Sequence, residues 1–183
     1  MVTEMKQALL VIDVQNDYFP GGKMALSHPE AALAAVKRLE ADFQAKHLPI
    51  IYIQHIKRQK DADFFEERTI GAQLHPDLHV TDESIIIEKH FPNSFQETRL
   101  ATALQELAID QLVICGMMTQ MCIDSTTRAS FERGYQPILI QDATATKTLM
   151  MNGESVSASH VQTAFLAALT NFASVQNSIE FIH

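Results

Sequence analysis

Six short, unbroken apolar runs punctuate the chain, with helically spaced stretches between them. The runs are Ala8 to Ile12, Pro49 to Ile53, Ser84 to Ile87, Gln111 to Cys115, Pro137 to Ile140 and, more weakly, Phe172 to Val175. A strand with one wet face alternates apolar and polar residues, whereas an unbroken run fits a strand covered on both faces. Between the runs, Leu33, Val36, Leu39 and Phe43 recur at three- and four-residue steps. So do Leu100, Leu104 and Leu107, and Phe165, Leu166 and Leu169 mark a last helix. That is the spacing of a helix that buries one face. Strands alternating with helices need crossover connections, and these give an α/β fold with a parallel sheet clad by helices on both sides. No linker, repeat or low-complexity segment interrupts the pattern, so one domain over residues 1–183 is expected.

Composition narrows the function classes. With 46% apolar residues the chain has ample surface to bury, which excludes intrinsic disorder. Lys and Arg total 14 against 22 Asp and Glu, a formal charge of −8. Nucleic-acid and anionic-membrane binders need a basic footprint, so neither partner is expected. No run approaches the ~18 apolar residues of a membrane span. Ala8 to Ile12 is too short for a secretory apolar region and is cut by Asp13. Two cysteines make no disulfide framework. The expectation is a soluble, reduced, cytoplasmic protein acting on a small molecule.

Ligands of open parallel sheets bind beyond the carboxyl ends of the strands. After the first run come Asp13 and Val14-Gln15-Asn16-Asp17-Tyr18-Phe19. After the second come Gln54 and His55, and after the third Glu88-Lys89-His90-Phe91-Pro92-Asn93-Ser94-Phe95. The fourth leads into Gly116-Met117-Met118-Thr119-Gln120-Met121-Cys122, and the fifth into Asp142-Ala143. An acid, an amine and a thiol thus leave one sheet edge from three strands. Residues 123–133 read as a helix, which places Cys122 at its positive N-terminal end, where thiolate is favoured. Lys89 would act in the same sense, and Asp13 is available as a general base. Backbone N–H groups of the turn could hold an oxyanion. The plain alternative is a small buried cysteine, a turn-capping aspartate and a solvated lysine. Cys115, ending an all-apolar run, reads as core. No G-x-G-x-x-G follows the first run, which disfavours a dinucleotide-dependent oxidoreductase. The long irregular stretch from Lys57 to Glu83 reads as a functional loop or a subunit contact.

Three segments together resemble the isochorismatase-like cysteine hydrolase family, which includes nicotinamidases. Ala8 to Phe19 is similar to its opening motif, Glu88 to Phe95 to its lysine motif, and Cys115 to Thr126 to its cysteine motif. Gly134-Tyr135 and Asp142-Ala143 complete the pattern. The resemblance implies a single-domain, three-layer α/β/α sandwich with a Rossmann-like, six-stranded, mainly parallel sheet. It implies a catalytic triad of Asp13, Lys89 and Cys122 and a cis peptide between Met117 and Met118. It implies an oxyanion hole from the backbone N–H groups of Met118 and Cys122, and a homodimer or homotetramer.

Within the family, Cys122 favours cleavage of a C–N bond in a small amide or carbamoyl compound through a thioester. A vinyl-ether hydrolase using Asp13 as acid, and a non-catalytic binding homologue, are the alternatives. Nicotinamidases carry an Asp-x-His metal pair after the second strand. Gln54-His55-Ile56 stands there in this chain, so no metal and no cofactor are expected. Asp77-Leu78-His79 has the spacing but precedes the third run, at the opposite sheet edge. Tyr18, Phe19, His55, Phe91 and Met117 are the substrate-binding candidates. For His55 a structural role reads equally well, and Phe95 is an alternative apolar wall. Lys57 and Arg58 could reach a substrate carboxylate, although a short charge run is usually a solvated face.

Overall fold

In a computed structural model, which describes residues 4–183, the six runs build one sheet. In chain order the elements are β1 (Gln7–Ile12), α1 (Pro29–Ala45), β2 (Ile50–His55), β3 (Ile85–Lys89), α2 (Leu100–Glu106), β4 (Gln111–Met117) and α3 (Asp124–Glu132). Then follow β5 (Ile138–Ala145), β6 (Leu149–Met151), β7 (Glu154–Val156), α4 (Ala158–Leu169), β8 (Ser174–Gln176) and α5 (Ser178–Ile182). The sheet order is β3-β2-β1-β4-β5-β8, and every neighbouring pair is parallel. The chain fills the sheet outward from β1 to one side and from β4 to the other. A crevice opens at such a reversal, beyond the carboxyl ends of the two central strands.

Both faces of the sheet are covered. Leu9 and Val11 pack with Leu33, Val36, Leu39 and Phe43 of α1, and Phe181 of α5 joins this core. Ala8, Leu10 and Ile12 point the other way, onto Leu100, Leu104, Ala129, Leu166 and Leu169 from α2, α3 and α4. Successive strand residues thus feed two different cores, which is why the runs are continuous rather than alternating. The result is a three-layer α/β/α sandwich. Among the described residues, no helix is long and apolar enough to cross a membrane.

The structure departs from the sequence reading most at the end of β5, at the start of β8 and in an added hairpin. β5 does not stop at Ile140 but runs to Ala145, so Asp142 and Ala143 lie inside it. The extension follows a register shift in β4, after which Gly116 pairs with Thr144. Asp142 fits a strand because its carboxylate accepts the backbone N–H and the hydroxyl of Ser178, both at 2.7 Å. The last strand begins at Ser174 rather than Phe172, because the N–H groups of Phe172 and Ala173 bond back to Leu169 and close α4. The β6–β7 hairpin is additional. Its Asn152-Gly153 turn has positive φ at both residues, the type I′ pattern that these two residues favour.

Candidate active site

The crevice is lined by strand ends. His55 is the last residue of β2, and Lys89, the last of β3, is its partner in the ladder. Asp13 directly follows β1, with its N–H bonded to the Ile53 carbonyl at 3.0 Å. Its φ of 52° is in the left-handed region, which non-glycine residues enter rarely and often at functional sites. Cys122 lies in a π-helical turn, Thr119–Ile123, that joins β4 to α3. The Met117–Met118 peptide leading into this turn is cis. Gly116, opposite Ile12 in the ladder, has φ +123°, and a Cβ there would collide with the Ile12 carbonyl oxygen. Only glycine lets the β4 turn approach the end of β1 this closely.

Lys89 is the hub. Its ammonium, fully buried, donates to Asp13 Oδ2 at 3.0 Å, Cys122 Sγ at 3.1 Å and the Phe91 carbonyl at 3.1 Å. His55 Nδ1 lies 2.7 Å away. An ammonium has three protons, so these four acceptors compete for it. Burial disfavours the charged lysine, but the charges of and hydrogen bonds to Asp13 and Cys122 together outweigh that cost, and its pKa is raised. His55 moves the other way: burial lowers it to about 4. Its ring is therefore neutral near pH 7, accepts at Nδ1 from Lys89 and carries its own proton on Nε2. Asp13 is fully buried, and its second oxygen, Oδ1, has no hydrogen-bond partner.

The thiolate expected at Cys122 is not the resting form. Burial raises the thiol pKa, the neighbouring Asp13 charge raises it further, and Lys89 offsets only part of this. Nor does Cys122 start an α-helix; α3 begins after it, at Asp124. The thiol therefore keeps its proton until a base removes it.

Above the thiol is a small cavity of about 230 Å³, lined by Tyr18, His55, Lys57, Phe64, His90, Pro92, Met118, Met121 and Cys122. Of the residues read as substrate-binding, Tyr18 and His55 line it. Phe19 does not: it is buried against the His75 ring, 4.3 Å between centroids. Met117 is fully buried in the α1-side core. Phe91 meets the cluster through its carbonyl rather than its ring. Phe95 packs in the opposite core, stacked on Tyr135.

Phe64 and His90 were missed. Phe64 belongs to the long segment after β2, and no short-range pattern links that segment to the crevice. The link is made by two buried polar residues of the opening motif. Gln15 exchanges bonds with His55, accepting its N–H and donating to its carbonyl, both at 2.8 Å, and donates to Ala72 O at 2.7 Å. Asp17 accepts the Phe65 N–H at 2.7 Å. A Cβ on Gly71 would collide with the Asp17 carboxylate. These contacts fold the segment over the crevice, where Tyr18 packs edge-on against Phe65.

Asp13, His55 and Cys122 each bring a ligand-type atom within 4.8 Å of the others. All three contact the Lys89 ammonium, so the trio already surrounds a cation that a metal would have to displace. Asp77 and His79 stand apart from it; the His79 N–H and carbonyl instead bond Glu40 and Tyr52.

Comparison with known proteins gives a consistent picture. An isochorismatase domain matches residues 7–178. An uncharacterized isochorismatase family protein of Bacillus subtilis, YddQ, is 44% identical over 97% of this chain and 99% of its own length. A solved structure from Oleispira antarctica, named as an isochorismatase hydrolase, superposes with a TM-score of 0.94 at 40% identity, covering 100% of this chain and 98% of that one. Nicotinamidase 3 of Arabidopsis thaliana is 25% identical, over 76% of this chain and 73% of its own length.

Proposed function

The chain belongs to the isochorismatase family of hydrolases, and we propose that it cleaves the C–N bond of a small amide or carbamoyl compound through a thioester on Cys122. The observation that carries this reading is the buried cluster itself. Asp13 Oδ2 is held by Lys89 at 3.0 Å, while Oδ1 is buried with no partner, an acceptor held available beside a protonated thiol. An unpaired buried carboxylate oxygen is costly, so its retention fits a group that has a proton to receive. Relatives that include a nicotinamidase support the amide as the bond class.

In this reading Asp13 takes the proton of Cys122, and the thiolate attacks the planar carbonyl carbon. The backbone N–H groups of Met118 and Cys122 hold the developing oxyanion. Asp13 returns the proton to the departing nitrogen, which leaves as ammonia or an amine. Water, deprotonated by Asp13, then attacks the thioester; the acid leaves and the thiol is restored. Lys89 holds the Asp13 carboxylate by its hydrogen bond between these transfers and lowers the cost of the thiolate as it forms. Splitting one difficult hydrolysis into two easier steps is the general gain of a covalent route. Tyr18 and His55 line the space the acyl group enters.

The test is ammonia release from a panel of small amides, ureas and carbamoyl compounds, with Cys122→Ala beside the wild type and intact mass on quenched samples. Release by the wild type alone, with an acyl adduct on Cys122, is expected. Turnover that survives Cys122→Ala would sink the covalent route and favour acid catalysis by Asp13.

A further inference from the structure

Lys57 has no part in the chemistry above, yet it lines the same cavity as Cys122, and its ammonium sits against Phe64, another lining residue. The other lining groups are aromatic, apolar or imidazole, and the Lys89–Asp13 pair beneath is mutually compensated. The Lys57 backbone is fixed: its N–H bonds Phe65 O at 2.8 Å and its carbonyl accepts from Glu67 at 2.9 Å. Its ammonium is held over the Phe64 ring, 3.6 Å from the centroid. The partner it does have is a surface group, Asp63, at 2.6 Å, whose side chain is 66% exposed. Exposed ion pairs of this kind are worth little and exchange readily.

Immediately outside, a depression of about 650 Å³ shares His55, Lys57 and His90 with the cavity and adds Arg58, Asp61 and Asp63. Arg58 and His90 both face Glu88, at 3.1 and 3.4 Å. Asp61 turns its N–H to Glu66. Lys57 thus lines both spaces, and the one carboxylate that balances it, Asp63, lines only the outer depression.

Resting on the hydrolase reading above, we propose that Lys57 is the specificity determinant for a substrate bearing a carboxylate, with Asp63 occupying that subsite until the substrate's own carboxylate replaces it. The substrate class is then a short amide with an acid group on its acyl side. At ~30 Å³ per water-sized unit, 230 Å³ holds only about seven or eight such units, so the acyl part is small. Inside the cavity, in a drier setting than at the mouth, the charge-assisted bond to Lys57 is stronger than the exposed Asp63 pair it replaces.

The experiment needs no knowledge of the natural substrate. Alkylation of Cys122 by iodoacetamide is followed by mass in the presence of butanoate or of 1-butanol, with thermal shifts by the same two compounds in parallel. In the wild type, butanoate is expected to protect the thiol and raise the Tm, and 1-butanol to do neither at equal concentration. Lys57→Met is expected to weaken the butanoate effect about ten-fold, the size of one charge-assisted hydrogen bond. Asp63→Asn is expected to tighten it about three-fold by removing the competitor. Equal effects of butanoate and 1-butanol, or a butanoate preference that survives Lys57→Met, would overturn the proposal. Because the resting thiol is buried and protonated, slow alkylation leaves the nucleophile assignment untouched, and the thermal shifts then decide the anion site alone.

Discussion

The chain's two cysteines occupy neighbouring regions with opposite characters. Cys115 lies inside β4, Cys122 in the turn that follows it. Both are buried, and burial raises both thiols. Cys115 packs in the α1-side core with its sulfur 3.7 Å from the Leu10 carbonyl; the one charge that acts on it, Glu40, is already held by the Tyr52 hydroxyl and the His79 N–H. Around Cys122 are Lys89 at 3.1 Å, Asp13 with its unpartnered Oδ1, and a cavity. Burial therefore does not distinguish a reactive thiol from an inert one. Charged neighbours that can move a proton, and space for a ligand, do so.

The sharpest way to break this contrast is to exchange the consequences of losing each thiol. Cys122→Ala is expected to abolish hydrolysis while far-UV circular dichroism and Tm stay near wild type; appreciable residual turnover would remove the distinction. Lys89→Met is expected to be the most damaging for the fold. It leaves Asp13 buried without its counter-ion, a loss of about 3–5 kcal/mol measurable by urea unfolding, and activity should go with it. Asp13→Asn should fold, because the amide can still accept from Lys89. It should lose ~10²–10⁴-fold in kcat/KM, the usual worth of a general base.

The histidine sharpens the contrast through pH. His55 is held neutral by burial, with its pKa lowered to about 4 from an ordinary value of about 6.5. Above about 6.5 both folded and unfolded forms are neutral, and the group has no pH-dependent effect. Below it the unfolded chain takes up a proton that the folded one resists, so stability falls as pH drops from about 6.5 towards about 4. A Tm-against-pH series should show this slope, and His55→Gln should flatten it. The smallest expected effect is Cys115→Ala, about 1 kcal/mol of stability from lost packing, with kcat/KM retained. A large loss of activity there would mean that the two regions are coupled.

The sheet was largely legible in the chain. Strands buried on both faces must be continuously apolar, and β1, β2 and β4 lie within a residue or two of their runs. The strand ends were legible for the same reason, since a polar residue after such a run sits at the sheet edge. Asp13, Lys89 and Cys122 were read in that way, and the structure brings them together. The boundaries that slipped are those where side chains act at a distance. Asp142 stays in β5 because Ser178 bonds its carboxylate, and nothing near position 142 announces a partner 36 residues away.

Residue order by itself determined the class of fold, the edge at which chemistry can occur and the residue types delivered there. These follow from local rules: periodicity, chain connectivity and the special freedom of residues such as Gly116. Tertiary structure alone decided which side chains line the cavity above the thiol, leaving out Phe19, Phe91 and Met117 and bringing in Phe64 and His90 beside Tyr18. It also decided the protonation of the site. The positive end of a helix and a nearby lysine argue for thiolate, but burial and the charge on Asp13 act over a few ångströms and raise the thiol. Those distances are set only when β1, β2, β3 and β4 are packed side by side.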